Sequence, residues 1–429
     1  MLTRQRQTSQ GRARQGRARQ GRARRRAAAA TVLALAMLLP AGLTIGAAPA
    51  AAAPADQVRD AQSWVLTMLD AQAAWTVSQG AGVTVAVIDS GVNPNVSDLA
   101  GSVTTGPDLT KAGTPASNPN WGQHGTWMAS LIAGHGHAGG SSGITGVAPK
   151  ARILSIRVIT DPGDPGYRRY QHEPALTVQN SLARAIDDAV ADKVGVISMS
   201  IGYGGPSRAV REALQDAYDH NVVVLASAGN SGRRTPRPAP YSFPADYPGV
   251  ISVGAVGQSG STANFSSDNL SVQLAAPGVN VPAQGKDGAY WLVSGTSPAC
   301  ALTAGVAALI RSAYPRLPAP LVAQALTGST RNRPPGGYDK EVGFGTVDAV
   351  AALAAARRLG SDLPAGAGLA AALHFGGGRA AVPDAPVVRR GIGMLIVYAL
   401  LALACLAFVV VAGIRIVALR RMRSRPAAG

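Results

Sequence analysis

VTVAVIDS, residues 83–90, is a short β-branched run that ends in an acid and is followed by Gly91. Its apolar residues fall on both alternating sets of positions, which reads as a strand buried on both faces in a parallel sheet. Asp89 then stands at the C-terminal end of that strand, the edge of an open α/β sheet where active sites collect. Further along, WGQHGTWMASLIAG at 121–134 sets His124, Gly125 and Thr126 at the start of an apolar helix. Strand-like and helix-like runs then alternate over 152–159, 178–191, 194–201, 208–220, 222–226 and 250–256. This alternation predicts an α/β fold: a doubly wound, mostly parallel sheet with helices on both faces. The Gly/Pro-rich stretches 134–146 and 160–175 read as loops near the candidate site.

A second anchor is SGTSPACA, residues 294–301, which leads into an Ala-rich helix reaching Ile310. Proline is favoured at the first helical position, so Pro298 puts Ser297 at, or one residue before, the helix N-terminus. Backbone N–H groups and the positive end of the helix dipole favour negative charge there. A serine that attacks a carbonyl creates such a charge. Taken alone, the motif is better explained by a Ser/Thr cap on a buried helix.

The three pieces together ask for more than caps. A serine hydroxyl is a poor nucleophile until a neutral imidazole takes its proton, and a carboxylate must hold that imidazole in one tautomer. Asp89, His124 and Ser297 are the residue types this chemistry requires. VVVLASAGN at 222–230 adds a buried strand and a small-residue turn ending in Asn230. The Asn230 amide is a candidate oxyanion donor beside the Ser297 N–H.

The chain has 429 residues, 47% of them apolar, and a net charge of +17. Ten arginines lie in residues 1–26 and five in 415–429, with no acid in either segment, leaving +2 between them. The basicity is terminal and gives no support to nucleic-acid binding by the folded body. Residues 1–53 read as a secretory signal peptide: a long basic n-region, an apolar run at 27–39, and A-x-A cleavage sites around 47–53. Residues 54–80 carry Trp64, Leu66, Leu69 and Trp75 at helical spacing, an N-terminal extension expected to pack on the outside of the next domain. The main domain spans 81–356 and a Gly/Ala/Pro-rich linker spans 357–390. Residues 391–414 hold no charge and are long enough for a transmembrane helix. The basic tail 415–429 then lies in the cytoplasm, and the body outside the cell membrane. Cys300 and Cys405 sit in segments that do not meet, so no intrachain disulfide is expected.

His135 and His137, in HGHAGGSSG, lack nearby Cys or carboxylate ligands and read as loop polarity, so no metal site is assigned. Asp161, Asp164 and Glu173 share a loop without ordered ligand spacing, which leaves structural calcium open. The chemistry itself requires no cofactor.

Eight blocks in order resemble the subtilisin family of serine proteases: VTVAVIDSGV at 83–92, HGTWMASLIAG at 124–134, GVAPKARILSIRVI at 146–159, VISMSIGYGG at 196–205, ASAGN at 226–230, FPADYPGVISVGAV at 243–256, AAPGVNV at 275–281 and SGTSPACALTAGVAALI at 294–310. The resemblance implies a triad of Asp89, His124 and Ser297 with Asn230 as oxyanion donor. It implies that Ser200, Ile201 and Gly202 pair with the substrate backbone. Ala226, Ser227, Ala228 and Gly229 then wall the pocket for the residue before the scissile bond. Two departures stand out: Pro298-Ala299 replaces the usual Met-Ala, and Ala301-Leu302 the usual Pro-His pair.

The whole layout is similar to the mycosins, membrane-anchored proteases of actinobacterial type VII secretion systems, although the absent disulfide departs from that group. The resemblance implies an extracytoplasmic endopeptidase acting on protein or peptide, with secretion-membrane components as partners. Two alternatives stay open: a mainly structural subunit that stabilises the secretion complex, and a tethered general surface protease.

Overall fold

The computed structural model describes residues 55–232, 238–361 and 392–423. In chain order the strands are β1 (Thr84–Asp89), β2 (Val103–Asp108), β3 (His135–His137), β4 (Ser142–Thr145), β5 (Arg152–Arg157), β6 (Val196–Met199), β7 (Val223–Ser227), β8 (Val250–Val256), β9 (Val272–Pro277), β10 (Val281–Gln284) and β11 (Tyr290–Val293). Among the described residues, seven of them form one sheet in the order β2-β5-β1-β6-β7-β8-β9. Every neighbouring pair in it is parallel. Two antiparallel hairpins, β3–β4 and β10–β11, stand apart from it. The mostly parallel α/β architecture expected from the alternating runs is therefore present.

The helices of this unit are α1 (Ala55–Met68), α2 (Ala71–Ala74), α3 (Gln123–Ala133), α4 (Tyr167–Gln171), α5 (Ala175–Ala191), α6 (Arg208–Asp219), α7 (Thr296–Ala313), α8 (Ala319–Gly328) and α9 (Ala349–Ser361). Strand periodicity sorts the core into two layers. Val85 and Val87 of β1 pack with Met128 and Leu131 of α3 and with α7. Ala86 and Ile88 pack on the other face with Leu182 and Ile186 of α5 and Leu214 of α6. Asp89 continues the first set, so the pleat turns its carboxylate toward α3.

Every residue of α7 from Pro298 to Arg311 is buried, which suits a helix apolar on all sides and enclosed by the sheet, α3 and α9. Small residues permit this enclosure: a Cβ on Gly305 would stand 2.6 Å from the Val147 Cβ. Arg311 enters the core with its two terminal nitrogens donating to the carbonyl of Leu317 (2.5 Å) and to Asn221, while its buried Nε has no partner among the described residues. Burial pulls its pKa down to about 10.

Three sequence expectations need correction. First, α7 begins at Thr296, so Ser297 is its second residue and Pro298 its third. The Asn230 side chain caps the Thr296 N–H, and proline is tolerated in the first turn, whose N–H groups have no intrahelical partner. Second, 134–146 forms the β3–β4 hairpin at the end of α3 opposite His124, away from the candidate site. Third, helix α9 carries the body on to Ser361 rather than to 356.

Residues 55–80 pack against this body. Gln62 exchanges two side-chain hydrogen bonds with the Thr145 backbone (2.8 and 3.1 Å), and Trp75 Nε1 donates to the Val147 carbonyl (2.8 Å). Val65 and Leu69 are fully buried. The segment 1–53 read above as a signal peptide, and most of the segment read as a linker, lie outside the described residues.

The chain divides into two compact units, 1–369 and 370–429. The second contains α10 (Ile392–Arg423), a helix of 32 residues. Its described side chains, Ile396 and 399–415, are nearly all exposed. They make up a shorter stretch than the uncharged run 391–414, and among the described residues no helix is long and apolar enough to cross a membrane.

Candidate active site

The carboxyl ends of β1, β6 and β7 converge with the N-termini of α3 and α7. The strand order reverses direction beside β1, and that edge is where open α/β sheets bind ligands. Asp89 is fully buried at the end of β1. Its Oδ1 lies 2.8 Å from His124 Nδ1 and accepts from the Ser90 N–H at 2.6 Å. The approach of α3 to β1 depends on Gly125, because a Cβ there would overlap the Gly91 carbonyl oxygen. Gly91 is constrained as well: it has φ 99°, and a Cβ would sit 2.5 Å from the Trp121 ring.

Burial alone would lower the His124 pKa. The Asp89 charge and hydrogen bond, followed by the Asp161 charge, outweigh that and hold it above the ordinary histidine value. The ring also meets Trp127 edge-on, with centroids 6.1 Å apart.

Ser297 is half-buried in the first turn of α7. Its Oγ donates to the Ser200 carbonyl at 3.4 Å, and the Ser200 hydroxyl donates back to the Ser297 carbonyl at 3.0 Å. Among the described residues no hydrogen bond joins Ser297 to His124; the Oγ is engaged by the Ser200 carbonyl instead.

Asn230 is exposed, and its orientation is set by its oxygen. Oδ1 accepts from the Thr296 N–H (2.9 Å) and from the Thr296 hydroxyl (3.0 Å). Nδ2 is turned toward Gly295, 3.4 Å from where a Cβ on that glycine would stand. The amide N–H₂ and the Ser297 N–H are therefore on the same side of the helix start.

The remaining predicted residues flank this point. Ser200 follows β6 and is buried, Ile201 is half-buried and Gly202 exposed. Ala226 and Ser227 end β7, and Ala228 and Gly229 continue toward Asn230. Ser242 stands between the two walls: a Cβ on Gly202 would strike its hydroxyl, and one on Gly229 would lie 3.4 Å from its Cβ.

Several residues at the site escaped the sequence reading. Asp161, left above as a possible calcium ligand, instead grips the start of α3: its two oxygens accept from the N–H groups of Gln123 (2.7 Å) and His124 (3.1 Å). Asp164 is paired with Arg157 (2.5 Å) and accepts from Thr114 Oγ1 (2.5 Å) and the Gly166 N–H (2.7 Å). Glu173 lies just past α4. Arg157 is itself buried at the end of β5, donating to Asp108 Oδ2 (2.6 Å) and to the Ser90 carbonyl (3.0 Å), with its guanidinium 5.4 Å from the Trp121 ring centre. One signal was available: Arg157 is a charge set between Ile156 and Val158 in a mostly apolar run, and buried charges need partners. His137 pairs with buried Asp98 at 2.7 Å, and His135 bonds the Gly136 and Ala100 carbonyls. Among the described residues no three His, Cys, Asp or Glu side chains are grouped to hold a metal ion.

Residues 80–345 match the subtilase family. The chain belongs to the subtilase family. It is 36% identical to Mycosin-1 of Mycobacterium tuberculosis over 68% of this chain and 72% of that protein. It is 32% identical to thermitase of Thermoactinomyces vulgaris over 60% of this chain and 85% of that one. Among solved structures, MycP1 from Mycobacterium smegmatis superposes with a TM-score of 0.56 at 30% identity, over 68% of this chain and 84% of the other. The MycP3 protease from the type VII (ESX-3) secretion system gives a TM-score of 0.57 at 30% identity, over 68% and 87%. This subtilase is thus a serine endopeptidase related to the mycosins.

Proposed function

We propose that the protein is a membrane-anchored, extracytoplasmic endopeptidase in which Asp89, His124 and Ser297 act as the triad. The observation that carries this reading is the 2.8 Å contact of His124 Nδ1 with buried Asp89, at the sheet edge where Ser297 opens α7. Once Ser297 rotates off the Ser200 carbonyl, His124 Nε2 takes the Oγ proton as Oγ bonds the scissile carbonyl carbon. The carbonyl oxygen becomes an oxyanion, and the Ser297 N–H and Asn230 Nδ2 donate to it. His124 then returns the proton to the departing amine. Water resolves the acyl-enzyme by the same base. Asp89 keeps the proton of the neutral imidazole on Nδ1 and stabilises the imidazolium. Ser200, Ile201 and Gly202 offer backbone to an extended peptide, and Ala226, Ser227, Ala228 and Gly229 face the side chain before the cut bond. No cofactor enters these steps.

Anchorage rests on the uncharged run 391–414, which α10 covers from Ile392 on, and on the exposure of Leu400, Leu403, Phe408 and Val411, apolar side chains that call for a non-aqueous surrounding. The arginines at 415, 420, 421, 423 and 425 fit a cytoplasmic end. Association with a type VII secretion membrane complex follows from likeness to Mycosin-1 and to the MycP3 protease of such a system.

The test is labelling of the full-length protein with a fluorophosphonate probe beside Ser297→Ala. Labelling confined to the wild type supports the assignment, and labelling that survives the substitution contradicts it. For the secretion role, loss of secretion on deleting the chain but not in Ser297→Ala would favour the structural-subunit reading.

A further inference from the structure

We propose that Asp161 is a second carboxylate serving the His124 base: a positioning residue that fixes the first turn of α3, and with it the imidazole, without touching substrate. The proposal rests on His124 acting as the general base and adds to the triad a residue that the sequence pattern does not mark.

Three observations carry it. Asp161 is 9% exposed, so its charge sits in a place where it must be compensated. Its partners are the N–H groups of Gln123 and His124 themselves, taken one by each oxygen at 2.7 and 3.1 Å. These are orphan donors at the start of a helix, and a carboxylate there is further favoured by the dipole. Finally, Asp161 arrives from the loop after β5 while Asp89 ends β1, so two strand ends clamp one histidine. Asp89 holds the ring at Nδ1, and Asp161 holds the backbone from which the ring extends.

The charges around His124 can be named element by element. Asp89 faces it from β1 and Asp161 from the loop after β5. Lys286, between β10 and β11, lies close enough to Asp161 and Asp164 to feel both charges. Arg157 is engaged with Asp108 and Asp164. Trp127 contributes an uncharged ring edge. Burial raises the pKa of Asp161 itself, the His124 charge opposes this, and Asp89 adds to it. The direction for His124 follows: Asp161 adds to Asp89 in favouring the imidazolium. A neutral residue at 161 lowers the histidine pKa and moves the acidic limb of activity to lower pH.

The experiment compares full-length wild type and Asp161→Asn. The second-order rate of fluorophosphonate labelling at Ser297 is followed against pH, with a ¹⁵N-histidine titration on the same samples. Asparagine keeps the shape and one acceptor but removes the charge. The expected result is an acidic limb and a His124 titration both displaced downward by roughly half a pH unit or more. Asp161→Ala, which also loses both hydrogen bonds to the first turn of α3, should label more slowly at the optimum than Asp161→Asn. A folded Asp161→Asn that labels with an unmoved profile and an unmoved histidine titration overturns the proposal and leaves the triad standing. Wild-type protein without Ser297-dependent labelling removes the base assignment, and the proposal with it.

Discussion

The side-chain oxygen of Asn230 accepts two hydrogen bonds from Thr296, one from its N–H at 2.9 Å and one from its hydroxyl at 3.0 Å. One end of the amide thus caps the helix that carries Ser297, and the other is turned toward Gly295 near the Ser297 N–H, where the proposed mechanism calls for an oxyanion donor. The two ends can be separated by mutation. Asn230→Asp keeps an acceptor for Thr296 while replacing the donor, so the thermal midpoint should hold. Turnover should fall by roughly a hundred- to thousandfold, the size of effect known for such donors. Equal losses of stability and turnover would show that the residue matters only as a cap.

Gly125→Ala forces the new methyl onto the Gly91 carbonyl oxygen, which is backbone and cannot swing away. Helix α3 must shift from β1, at a cost of about 1–3 kcal/mol. The His124–Asp89 contact is the first casualty. Calorimetry and probe labelling should fall together. A variant with normal labelling would show that the close approach is not needed.

Arg157 and Asp164 form a pair with both side chains essentially excluded from solvent. Removing one partner leaves the other uncompensated, so Arg157→Met should destabilise by about 3–5 kcal/mol. Adding Asp164→Asn should recover part of that loss. Chemical denaturation of the three variants gives the answer, and additive losses would contradict the pairing.

For the pH dependence, the sign follows from the raised pKa of His124. A general base works when neutral, so labelling of Ser297 should rise through a midpoint above the ordinary histidine value. Asp89→Asn removes the largest raising influence. Its acidic limb should move down while the maximal rate drops by about four orders of magnitude, because the wrong tautomer is held. Stability behaves oppositely with pH. A raised pKa means the folded state binds the proton more tightly, so this contribution is complete below the unfolded value and fades as pH rises through the folded one. The difference in thermal midpoint between wild type and Asp89→Asn should therefore narrow over that range.

Pro298 follows Ser297 where related subtilisins place a methionine, so no thioether adjoins the nucleophile. The nearby Cys300 is fully buried and its thiol pKa is pushed up to about 12 by burial, which keeps the oxidisable thiolate scarce. Mild peroxide should leave labelling intact. Prompt inactivation would contradict this account of the flank.

Much of the architecture was legible because it rests on local pattern. The apolar run of β1 located a buried parallel strand and put Asp89 at its end. The small residues after Pro298 announced a helix that could be buried on every side. What was not legible depends on partners distant in sequence. Asp161 stood in the sequence only as one of three acids in a loop without ordered ligand spacing, and only the fold brings it under Gln123 and His124. The start of α7 was placed late because Asn230, 66 positions away, supplies the cap. Arg157 was read as part of a strand, yet the end of β2 and the loop after β5 bring Asp108 and Asp164 to it.

The central claim is that Ser297 is an activated nucleophile. Its most direct test is the rate of fluorophosphonate labelling on the full-length protein, read against Ser297→Ala and His124→Ala. Stoichiometric labelling of wild type, abolished in the first variant and reduced by orders of magnitude in the second, is the predicted result. A folded wild-type protein that takes up no label, or one whose label survives Ser297→Ala, would contradict it.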